Sequence, residues 1–108
     1  MKPVIDKAEV SIDFPEKAYM GSFGHEAEFD VRPENDGIVL KLVRPGNERR
    51  EVGVHLHYYL LAGILEEMAN VFAGQPGMDE AHREPLFDAA KALQGSLKKR
   101  KSGNGGST

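Results

Sequence analysis

The feature that most restricts the fold is a change of hydrophobic period between Gly37 and Ala73. Ile38, Leu40 and Leu42 alternate with Val39, Lys41 and Val43; after a turn, Val52, Val54 and Leu56 alternate with Glu51, Gly53 and His55. Period two is the pattern of strands buried on one face. Beyond His57 the spacing becomes helical. Leu60, Leu61, Ile64, Leu65, Met68, Val71 and Phe72 fall on one arc, with Tyr59, Gly63, Glu66, Glu67 and Asn70 on the other side. That arc covers about half the circumference, more than the roughly 100° needed to pack on one neighbour. A hairpin followed by a helix over about residues 56–73 is expected.

The turn sets the expected register. A two-residue loop at Gly46-Asn47 would set Leu42 opposite Glu51 and mix the faces. A three-residue loop, Pro45-Gly46-Asn47, pairs Leu40 with Val52, Ile38 with Val54, Lys41 with Glu51 and Arg44 with Glu48. Because a one-residue slip moves a whole apolar set to the wrong face, the three-residue loop is the expectation. Proline at the first loop position and asparagine at a left-handed closing position agree with it.

Further strands precede the hairpin. Val10, Ile12 and Phe14 alternate with Glu9, Ser11 and Asp13 up to Pro15, and Ala27, Phe29 and Val31 alternate with Glu26, Glu28, Asp30 and Arg32 up to Pro33. Residues 17–23 are strand-like but interrupted by Gly21. The Gly21-Ser22-Phe23-Gly24 piece lacks the lysine and the following helix of a phosphate loop, so it reads as a bulge or tight turn. Gly74, Pro76 and Gly77 end the first helix. A second is expected from Pro85 to about Lys99, with Leu86, Ala90, Leu93 and Leu97 on one stripe and Asp79 and Glu80 capping a short turn before it. The fold class is therefore α+β: an antiparallel meander of four to five strands, then two helices packed on one face. Residues 1–99 form one domain and 100–108 a disordered basic, Gly/Ser-rich tail.

Charge placement limits the function classes. Of the 14 Lys and Arg, four are consecutive at Lys98, Lys99, Arg100 and Lys101, and all 17 Asp and Glu precede them, so the first 97 residues carry a formal charge of −7. An acidic body argues against nucleic-acid binding over the whole surface. There is no cysteine, which removes disulfides, thiolate zinc sites and a cysteine nucleophile. No apolar run reaches the roughly 18 residues of a membrane span, and the first residues lack a signal-peptide core. A cytoplasmic protein without membrane association is the expectation.

Candidate sites are few. Lys41, Arg44, Arg49 and Arg50 cluster at the hairpin and, with Lys98 to Lys101, form the nucleic-acid alternative, a β-ribbon tracking the phosphates of a single strand. His55 and His57 point the same way on a strand, and with Tyr58 they are the candidates for a small ligand or metal. They lack a recognisable third ligand, and no cofactor is expected. No nucleophile elbow or paired-acid motif points to catalysis. The leading expectation is a non-enzymatic interaction module whose partner is another protein or a second copy. Its candidate interface residues are Val39 and Val43, which flank Lys41 on the presumed outer face of the hairpin.

Overall fold

The computed structural model describes residues 1–74 and 77–98. The elements are strands β1 (Lys2–Pro3), β2 (Ala8–Asp13), β3 (Ala18–Phe23), β4 (Glu28–Pro33), β5 (Gly37–Arg44) and β6 (Arg50–His57), then helices α1 (Tyr58–Gly74) and α2 (Glu80–Leu97). Four strands form an antiparallel sheet in the order β1-β4-β5-β6, and β2 and β3 form a separate two-stranded sheet. The fold is α+β with an antiparallel meander. The tail residues, with Lys99, Arg100 and Lys101, lie outside the described residues. By internal contacts the chain divides into two units, Met1–Ala69 and Asn70–Thr108. The single domain expected over residues 1–99 spans both.

In the first unit, β5 is paired along its length on both sides. On one side Leu42, Leu40 and Ile38 stand opposite Phe29, Val31 and Pro33; on the other they stand opposite Val52, Val54 and Leu56. This corrects the expected register. Leu40 meets Val54 rather than Val52, and the connection is five residues, 45–49, closed by Arg44 opposite Arg50. The shift is two residues, which leaves every side chain on its expected face, so hydrophobic alternation cannot detect it. Gly46 in the loop takes a left-handed conformation, at φ 112°.

The segment expected to be a weak strand is β3, paired with β2 over six residues. Its tight link is Pro15-Glu16, bracketed by reciprocal backbone bonds between Phe14 and Lys17. Gly21 and Ser22 belong to the strand itself; the turn comes after Phe23, where Ala27 N–H donates to the Gly24 carbonyl at 2.9 Å. Phe23 and Ala27 are the most deeply buried apolar residues.

The helices depart from expectation at their starts. β6 continues to His57 and α1 begins at Tyr58 with no residue between them. In the second unit α2 begins at Glu80, with Asp79 as its N-cap accepting from the His82 backbone N–H at 3.1 Å. Such a cap satisfies one of the otherwise unpaired first-turn donors. Arg83 strengthens that turn by donating to Glu80 and to the Met78 carbonyl. Pro85 therefore lies inside the helix, where it removes the bond that its N–H would give to the Ala81 carbonyl. Neither helix contains a buried residue.

One glycine is fixed by the close approach of two strand ends. A Cβ on buried Gly37 would run into the Leu56 carbonyl oxygen and lie 2.7 Å from the His57 Cα. The same corner is tied by the Tyr58 N–H donating to the Asp36 carbonyl at 2.8 Å. Gly37→Ala should destabilise the fold by about 1–3 kcal/mol, the range for forced overpacking. At Gly53 a Cβ meets nothing within 4 Å, so Gly53→Ala should be neutral or stabilise by up to ~1 kcal/mol. Urea unfolding of the two variants beside wild type measures both; equal midpoints would remove the role given to Gly37.

Candidate interaction surface

Because paired residues in an antiparallel ladder point to the same face, the register assigns every side chain of β4, β5 and β6 to one side. One face consists of three ranks across the strands: Phe29–Leu42–Val52, Val31–Leu40–Val54 and Pro33–Ile38–Leu56. All nine positions are apolar. The other face carries Glu28–Val43–Glu51, Asp30–Lys41–Gly53 and Arg32–Val39–His55. The sheet thus has one surface that is apolar across these nine positions, edged by Lys2 beside Phe29 and by the Arg44–Arg50 pair, and one that is largely charged.

Burial runs against expectation. Val39 and Val43, the expected interface residues, are buried at 9% and 7% exposure. Each is a short side chain on the central strand, flanked in register by longer ones: Arg32 and His55 beside Val39, Glu28 and Glu51 beside Val43. Long polar side chains lay their apolar stems over such neighbours. The open apolar surface is the opposite face. Leu40, at the centre of the central strand, is 37% exposed, with Val54 at 40% and Val31 at 51% on either side. Phe29, Ile38, Leu42, Val52 and Leu56 on the same face are half-buried.

The β2–β3 hairpin extends the apolar surface. Val10, Ile12, Tyr19 and Phe23 share one of its faces by register. Together with Arg50 and Val52 they line an open recess of 480 Å³. The Arg50 guanidinium reaches across to the Met20 carbonyl at 3.4 Å, tying the start of β6 to β3. Phe14 and Tyr19 meet edge to face at 6.2 Å beside the hairpin turn.

The hairpin cations are held by acids. Glu51 takes Lys41 and Arg49 on its two oxygens, each at 2.9 Å; Arg44 lies 3.7 Å from Glu26, and Arg50 lies 3.9 Å from Glu48. Lys41 and Glu51 meet diagonally rather than as the direct pair expected, and Arg44 turns to Glu26 instead of Glu48. Each hairpin cation thus has a carboxylate within 4 Å, which offsets the positive field that a phosphate backbone would need. Lys98 closes α2, its backbone N–H directed at the Gly95 carbonyl at 3.4 Å.

His55 and His57 share the charged face, as their spacing implies, opposite Val39 and Gly37. Both are exposed and line a shallow recess of 200 Å³ with Glu34, Asn35 and Asp36. Tyr58 does not line it. Among the described residues no group of three or more His, Asp or Glu side chains is placed to hold a metal ion. Nor is any described helix long and apolar enough to cross a membrane.

Sequence reasoning placed Leu40, Val54 and Val31 inside the core and so missed them as surface. The available signal was the direct join of strand to helix at His57-Tyr58, which leaves no residues for a chain reversal. Comparison with protein-family models, curated proteins and solved structures finds no match for this chain.

The charged face has a measurable signature. Hydrogen bonds from Lys41, then from Arg49, hold the Glu51 carboxyl below its ordinary 4.5, and Arg32 does the same to Asp30 below 3.8. A carboxylate whose pKa is lower folded than unfolded adds stability above the unfolded value. That contribution is lost as the pH falls through the folded one. The Glu51 pairs should therefore support the fold fully above pH 4.5 and the Asp30 pair above pH 3.8, each contribution fading as the pH falls below that value. A carboxyl NMR titration should give Glu51 a midpoint under 4.5, rising towards it in Lys41→Gln. An unchanged midpoint in that variant would sink the assignment.

Proposed function

We propose that this chain is a small, non-enzymatic interaction module that self-associates through the apolar face of its four-stranded sheet. One observation carries the reading: three ranks of apolar side chains across β4, β5 and β6, with Leu40 exposed at their centre. A stable domain buries such a face under a second layer of structure, and contiguous apolar surface of this kind marks protein interfaces. The charged face, in contrast, neutralises itself through local ion pairs.

Magnitudes support an interface and limit it. Three strands about 4.8 Å apart and six to eight residues long present roughly 350 Å² of footprint. At about 25 cal/mol per Å² that is on the order of 8 kcal/mol, comparable with the roughly 4–15 kcal/mol cost of associating two molecules. The sheet face alone gives a marginal complex. A stable one must recruit further apolar surface.

Sedimentation across low to high micromolar concentration should show the mass of the wild-type protein rising above that of one chain. Leu40→Lys and Val54→Lys place a charge at exposed positions, so each should keep the wild-type circular dichroism. Burying that unpaired charge in the interface costs a few kcal/mol, so the dissociation constant should weaken by roughly 100-fold. A protein that stays monomeric throughout, or lysine variants that associate like wild type, would overturn the reading.

A further inference from the structure

We propose that the apolar sheet face of each copy is covered by helix α1 of a second copy, in a reciprocal two-fold exchange. This rests on the reading that the sheet face is an interface, and it names the occupant.

The first ground is connectivity. β6 ends at His57 and α1 starts at Tyr58. Laying a helix back over the strand that precedes it takes a reversing loop, commonly of two to six residues in compact domains, and here there is none. The Tyr58 backbone N–H is also committed to the Asp36 carbonyl, which fixes where the helix begins. The chain thus denies α1 the usual route onto its own sheet.

The second ground is that both surfaces lack cover. α1 contains no buried residue. Within the first unit Leu60 is 57%, Met68 46% and Leu65 36% exposed, on the same arc as the half-buried Leu61 and Ile64. An apolar sheet face and an apolar helix arc on one chain, each partly exposed, are complementary halves of a helix-on-sheet layer. Two copies related by a two-fold axis satisfy both at once, because the same pair of surfaces then meets twice.

The third ground is area. The sheet footprint is below what a specific complex buries, which is about 800 Å² of accessible surface per partner. Adding a helix stripe some 25 Å long and about 10 Å wide brings each copy to roughly 600 Å² in projection. The accessible area of interdigitating side chains exceeds that projection. Reciprocal docking therefore reaches the size that sheet-to-sheet contact alone does not.

The chain has no cysteine, so single cysteines report contacts without background. Leu40→Cys and Ile64→Cys proteins are prepared separately, mixed in equal amounts and joined by a short bismaleimide at a concentration where wild type associates. The hetero-crosslinked dimer should exceed either homo-crosslinked dimer several-fold. Val54→Cys with Leu65→Cys repeats the measurement should the first pair fold poorly. Tyr59→Cys, on the far side of α1 and 96% exposed, should give no such excess with Leu40→Cys. Leu40→Cys joining chiefly to itself would mean sheet-to-sheet packing, which keeps the interface and overturns the helix. An associating wild type with no crosslink in either pair would do the same, whereas a wild-type protein monomeric by sedimentation would overturn both.

Discussion

Strand β5 is hydrogen-bonded to β4 on one side and to β6 on the other, and this double pairing places nearly everything else in the first unit. It aligns three strands into ranks, so the alternation written into each becomes the chemistry of a whole face. It sets Val39 and Val43 between longer polar neighbours, where they are buried. It also brings the end of β6 against the start of β5, closely enough that only glycine fits at position 37. The apolar ranks on the reverse side follow from the same pairing and have no comparable shelter.

The two faces divide the work of the sheet. On the charged side Glu51 gathers Lys41 and Arg49, and Asp30 pairs with Arg32 at 2.6 Å. Such exposed pairs add little stability singly, but they leave that face well satisfied towards water. The apolar side can gain only by losing water, whose exclusion from apolar surface is the main driving force for association. An acidic body, a self-neutralised charged face and a partly exposed apolar one are the features on which the proposed self-association rests.

The parts of this architecture legible in the sequence were those governed by periodicity. Alternation identified β2, β4, β5 and β6 and sorted Ile38, Leu40 and Leu42 with Val52, Val54 and Leu56 onto one face. It fixed only the parity of the hairpin, since loops of three and five residues give identical faces; the choice lay in the loop backbone, where Gly46 takes the left-handed position. Pro85 suggested a helix start, yet the Asp79 cap and the Arg83 contacts begin α2 five residues earlier. The two-residue β1 is too short to have any period. The site was harder to see, because alternation says which residues share a face and nothing about what covers it. Leu40 and Val54 look like core in one dimension; their exposure depends on whether a second layer is supplied.

The central claim is that the face around Leu40 is open in the single chain and closed in the assembly. Methyl NMR with a soluble paramagnetic agent, recorded from low to high micromolar protein, measures this directly. The methyl groups of Val39 should be shielded at every concentration. Those of Leu40, Val54 and Val31 should be strongly relaxed in dilute protein and become shielded as concentration rises. Strong relaxation of these three that persists unchanged at the highest concentration would contradict the account.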